Sequence, residues 1–93
     1  MQFEWDHNKA SANLRKHGVS FTEAATVFGD PLSITVEDPD HSFNENRFLI
    51  IGSTLSGRLL IVSFVDRDDH IRIISARELT SAERKSYEKA INR

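Results

Sequence analysis

Two arginines, Arg72 and Arg77, stand in the otherwise largely apolar run Ile71-Arg72-Ile73-Ile74-Ser75-Ala76-Arg77. A guanidinium is a planar, permanently charged fork that holds two phosphate or carboxylate oxygens at once. Either arginine could stabilise negative charge on a reacting anion. A structural salt bridge, for instance to Glu83, is the alternative for each. Strict strand alternation would send the two to opposite faces unless a bulge or the strand end intervenes. Arg84 and Tyr87, three apart, would be neighbours on a helix. Arg84 could bind phosphate. Tyr87 could stack on a base or, with Ala90 and Ile91, serve as core. Lys9, Asn13 and Lys16 recur at helical spacing, which makes them either an anion-binding row or a solvated face. Histidine side chains change charge near neutrality, so His17 is a candidate acid or base. At a helix end it could instead serve the dipole. Asp38, Asp40 and His41 form one acidic cluster, and Asp66, Asp68, Asp69 and His70 another. Neither has calcium-loop or zinc spacing, so both read as charged surface turns and no metal site is expected.

These residues need elements to position them. Residues 3–5 read as a short strand. Asp6 caps a helix over residues 7–17, which Gly18 stops. Ser20-Phe21-Thr22-Glu23 matches a capping box and opens a second helix to about Phe28. Residues 32–37 alternate as a half-wet strand. Residues 38–46 form a polar loop. Residues 47–54 and 58–65 are strands about a turn at Leu55-Ser56-Gly57, the second apolar enough to be central. Residues 71–77 are the last strand. Thr80-Ser81-Ala82-Glu83 is a second capping box, at the start of a terminal helix. The fold class is α+β, an antiparallel β-meander packed with helices in the order β-α-α-β-β-β-β-α, with residues 1–93 as a single domain. Trp5 reads as a core anchor rather than a stacking platform.

Composition narrows the setting. The 93 residues carry 39% hydrophobic and 28% charged side chains and no cysteine, so neither a disulfide nor a thiolate centre is available. No signal-like or membrane-spanning stretch is present, and a cytoplasmic location is expected. The net charge of −2 is uneven: residues 19–57 hold one Lys/Arg against six Asp/Glu, whereas residues 58–93 hold eight against six. The two ends of the chain could pool cations on one surface.

The opening Phe3-Glu4-Trp5-Asp6, Lys9-Ala10, Asn13 and residues 16–24 (Lys16-His17-Gly18-Val19-Ser20-Phe21-Thr22-Glu23-Ala24) resembles that of the BrnT toxin family. Residues 71–77, followed by Glu83-Arg84 and Tyr87, resemble its closing signature. Asn46-Arg47 stands where a Glu-Arg pair is expected, and Glu78-Leu79-Thr80 where a more basic or alanine-bearing stretch is commoner. The resemblance implies a RelE-like fold and cleavage of messenger RNA without metal or other cofactor. It also implies neutralisation by a BrnA-type antitoxin and promoter binding only through the joint complex, and it leaves open a homodimer or a heterotetramer with the antitoxin. Such cleavage uses the substrate's own 2′-hydroxyl as nucleophile, so the protein must hold the phosphate, stabilise charge and move protons. The expected catalytic residues are Arg77, Arg72 and His17, with Lys9, Lys16, Arg84 and Tyr87 binding RNA. A non-catalytic module that binds antitoxin or RNA is the alternative. A DNA-binding regulator is disfavoured because Glu83 and Glu88 interrupt the cations of the last helix.

Overall fold

The computed structural model describes residues 1–40 and 46–92; His41, part of the first acidic cluster, lies outside them. The elements are β1 (Gln2–Glu4), α1 (His7–His17), α2 (Phe21–Ala25), a 3₁₀ turn (Thr26–Gly29), β2 (Ile34–Glu37), β3 (Arg47–Ser53), β4 (Leu59–Arg67), β5 (His70–Glu78) and α3 (Ser81–Ile91). The sheet order is β1-β5-β4-β3-β2. Strands β2 to β5 form the expected antiparallel meander. The sheet is nevertheless mixed, because β1 lies parallel to β5 through Gln2–His70, Phe3–Ile71 and Glu4–Arg72. A parallel pair needs a long crossover, and here it is the whole chain between β1 and β5.

Local chemistry sets the boundaries. Asp6 accepts the amides of Asn8 and Lys9 at 2.8 and 3.0 Å and starts α1. Gly18, at φ +69°, ends α1 with its N–H on the Leu14 carbonyl, a left-handed cap that glycine adopts without a Cβ clash. Ser20 caps the Glu23 amide at 3.0 Å. The reciprocal half of that capping box is missing: the Glu23 carboxylate turns to Arg58 and Ser56 instead, at 2.7 and 2.8 Å. The second helix stops at Ala25 and tightens into the 3₁₀ turn, short of the expected end at about Phe28. Thr80 and Glu83 make the full capping box at α3.

One face of the sheet carries the core. Val19, Phe21, Ala24 and Val27 pack on Ile50, Leu60, Val62, Phe64, Ile71, Ile73 and Ala76. Each large apolar side chain buried there stabilises by roughly 1.5–3 kcal/mol. Trp5 packs edge-on against Phe21, with ring centroids 5.9 Å apart, as a core anchor. The second face is thinly covered. It presents Ile34, Ile51 and Ile61 toward α3, whose buried residue is Tyr87. Central β4 therefore buries one face fully and on the other leaves Ile61 and Ser63 half-buried while covering Val65, short of the full two-sided cover its apolar run suggested.

Candidate functional site

The pairing of β4 with β5 slips by one residue. Ser63 faces Ser75 and the next residue, Phe64, faces Ile73, so Ile74 is the extra residue of a bulge. On β5 the core side therefore takes Ile71 and Ile73 before the bulge and Ala76 after it. Arg72 and Arg77 consequently share the face turned away from the core, the exception that strict alternation allowed for.

Sharing a face does not bring them together. Four residues of strand lie between them, a separation of roughly 15 Å. Arg77 lines a cleft of about 420 Å³ with Lys16 and His17 from the end of α1, and Asp38 and Asp40 from the segment after β2. Leu49, Ile61, Ser63 and Ser75 contribute its floor. Arg72 lies outside this cleft, 3.6 Å from Glu4.

A buried amide joins the two walls of the cleft. β1 covers the outer edge of β5 only from His70 to Arg72. Beyond it, Asn13 acts as a one-residue strand: Nδ2 donates to the Ala76 carbonyl at 2.8 Å, and Oδ1 accepts the Ala76 amide at 3.1 Å. Nδ2 also donates to the Val19 carbonyl at 3.0 Å. Asn13 is therefore inside, correcting its expected place in an exposed row with Lys9 and Lys16. The two lysines remain exposed, two helical turns apart, and Lys16 alone of them lines the cleft.

Arg77 is held firmly. Its Nη1 and Nη2 donate to Oε1 and Oε2 of Glu83 at 2.8 and 3.0 Å, and Nη1 also reaches the Glu78 carbonyl at 3.2 Å. Hydrogen bonds from Arg77, then from the Thr80 amide, pull the Glu83 carboxyl down to about 2, and the same contact raises Arg77 further. The salt bridge to Glu83 foreseen as the structural alternative is present, and Arg77 still opens onto the cleft. Arg84 is exposed on the next residue of α3.

Tyr87 is withdrawn from any surface role. It is 6% exposed, and its hydroxyl donates to the Leu32 carbonyl at 3.1 Å. Burial also pushes its ionisation up. It anchors α3, as its spacing with Ala90 and Ile91 allowed. The site residue that sequence reasoning missed is Asp38. It was assigned to a charged turn, yet it is 7% exposed, accepts the Asp40 amide at 3.1 Å and lines the same cleft as Lys16, His17 and Arg77. The available signal was the change from strand alternation to two acids one residue apart. The second acidic cluster is a surface turn, with Asp69 bonded to His70 at 2.8 Å. Among the described residues no group of three or more His, Asp or Glu side chains is gathered for a metal ion. Nor is any helix among them long and apolar enough to cross a membrane.

Residues 5–83 match the family described as ribonuclease toxin, BrnT, of type II toxin-antitoxin system. The chain belongs to the BrnT toxin family. Both sequence blocks that resembled BrnT toxins lie largely inside the matched region, as does every cleft residue. The fold is similar to the 1.1 Å crystal structure of the Brucella abortus ribonuclease toxin BrnT, with a TM-score of 0.69 and 20% identity over 87% of this chain and 99% of that one. A search of curated proteins finds no match. BrnT toxins are ribonucleases of type II toxin-antitoxin systems, so the family carries both an RNA-cleaving activity and an antitoxin partner.

Proposed function

We propose that this chain is an endoribonuclease that cleaves messenger RNA in the cytoplasm, as a single domain and without a metal cofactor, and is silenced by a BrnA-type antitoxin. The carrying observation is the cleft that gathers Arg77, Lys16 and His17 around Asp38. In this reading Arg77 grips the scissile phosphate and Lys16 adds positive charge as the phosphorane develops. The substrate's 2′-oxygen attacks phosphorus in line, and the bond to the 5′-oxygen breaks. Asp38 takes the 2′-hydroxyl proton, and His17 gives a proton to the departing 5′-oxygen. The products are a 2′,3′-cyclic phosphate and a 5′-hydroxyl. Lys9, Arg84 and Arg72, outside the cleft, hold flanking phosphates at most, and Tyr87 takes no part. Promoter DNA is bound only through the complex with antitoxin.

The test uses the purified chain on a DNA oligonucleotide carrying one ribonucleotide. Cleavage 3′ to that residue, leaving a cyclic phosphate, is expected. An uncut ribonucleotide substrate, with full-length RNA also intact, rejects the enzyme in favour of a binding module. Cleavage at deoxynucleotides rejects the 2′-hydroxyl mechanism.

A further inference from the structure

Arginine offers five N–H donors, arranged as two forks on adjoining edges of the guanidinium plane. The end-on fork of Arg77, from Nη1 and Nη2, is taken by the two Glu83 oxygens, and the second Nη1 hydrogen goes to the Glu78 carbonyl. What remains is the side-on fork, Nε–H beside the second Nη2–H, which has no partner among the described residues. Glu83 approaches from an apolar groove under α3, lined by Ile34, Ile51 and Ile61; Arg77 lines the polar cleft on the other side, and Glu83 does not.

Glu83 is itself fixed. Its Oε1 also accepts the Thr80 amide at 2.9 Å, while the Thr80 hydroxyl holds the Glu83 amide at 3.2 Å. The carboxylate thus sits in the first turn of α3, where backbone dipoles favour an anion. A side chain held at both ends is a post, whereas a competitor for phosphate would need freedom to leave.

We infer that Glu83 is a positioning residue, which clamps the end-on fork of Arg77 so that the side-on fork faces the cleft as a ready bidentate seat for the scissile phosphate. This rests on the ribonuclease reading above. It adds a claim about sign: removing the carboxylate should slow cleavage rather than unleash it.

Single-turnover cleavage of a short labelled single-stranded RNA tests it with wild type, Glu83→Gln, Thr80→Ala and Arg77→Lys. Glutamine can still accept the Thr80 amide but gives up one arm of the clamp. Glu83→Gln should lower the maximal rate up to about 100-fold, the scale of a misplaced catalytic group, with KM changed less than about threefold. Thr80→Ala removes the hydroxyl hold on the Glu83 amide but keeps the backbone amide on Oε1 and leaves the Arg77 pair, so it should cost clearly less activity than Glu83→Gln. In an Arg77→Lys background, which lacks the fork, Glu83→Gln should add little. Independently of activity, the Arg77 Nε–H NMR signal should shift when a non-cleavable 2′-deoxy oligonucleotide is added to wild type, and far less with Glu83→Gln. Faster cleavage by Glu83→Gln, an unchanged rate, or an equal loss in Thr80→Ala overturns the inference while leaving the ribonuclease standing. Wild type that cuts no RNA overturns both.

Discussion

The two arginines of β5 have the same residue type, strand and face, and each contacts a glutamate, yet their surroundings differ. Arg77 has Glu83 on one edge and an open cleft on the other. Arg72 shares the single Glu4 oxygen Oε1, at 3.6 Å, with Arg67 at 3.4 Å and His70 at 3.3 Å. The Arg72 end is a crowded ion cluster that ties β1, β4 and β5 together. The Arg77 end is a well-formed pair with donors in reserve. A cation becomes useful for chemistry through the unused part of its hydrogen-bonding capacity and the space beside it, not through its charge alone.

The sharpest way to break this comparison is to truncate each arginine in turn. Arg77→Ala should lower single-turnover RNA cleavage by about 10²–10³-fold, the range seen when one charge-stabilising donor is lost. Arg72→Ala should stay within about threefold of wild type and cost at most about 1 kcal/mol of stability, since half-exposed ion pairs contribute little. Equal losses of activity in both would mean that the cleft does not mark the reacting end of the strand.

Asn13 comes next, because it builds the Arg77 end. Asn13→Ala deletes three hydrogen bonds and leaves the Ala76 amide and carbonyl and the Val19 carbonyl buried with reduced partners. Stranded buried polar groups cost about 1–3 kcal/mol each, partly recovered by relaxation. A loss of about 2–3 kcal/mol in urea-induced unfolding is expected, with cleavage reduced even where the variant is fully folded. A fall below about 0.5 kcal/mol would show that α1 is held to β5 by apolar packing alone.

Much of this architecture was legible in the residues. Asp6, Gly18 and the Thr80–Glu83 box act locally, so their spacing reported α1 and α3 almost to the residue. The meander followed from short turns between alternating strands. What escaped were properties that depend on partners distant in sequence. The parallel β1 pairs with a strand some seventy residues away. The bulge at Ile74 depends on register with β4. The Glu23 carboxylate left its capping box for Arg58, thirty-five positions on. Asn13 looked like a surface residue until the uncovered edge of β5 supplied partners for its amide. At the site, Lys16, His17 and Arg77 were recognisable by type. Asp38 was not, because only the folded chain sets the segment after β2 against the end of α1.

The smallest expected effect comes from pH, and it should act on the two ends of β5 in opposite directions. Glu83 falls from an ordinary value of 4.5 to about 2 because Arg77 and the Thr80 amide favour its charged form. A depressed acid contributes stability that is complete above about 4.5 and is lost as pH falls toward about 2. Half-exposed as it is, that contribution should not exceed about 1 kcal/mol. His70 is shifted upward, chiefly by its hydrogen bond to Asp69 and then by Glu4. A raised base contributes fully below its ordinary value of 6.5, and the contribution fades as pH rises through the folded value. Acid therefore loosens the Arg77 end and mild alkali the Arg72 end. NMR titration checks both: the His70 ring protons should titrate above 6.5, and Glu4→Gln should bring the midpoint down. The stability advantage of wild type over Glu83→Gln should be constant from neutrality to about pH 5 and shrink below it. An advantage that persisted unchanged to pH 2 would mean that Glu83 stabilises through packing under α3 rather than through its charge on Arg77.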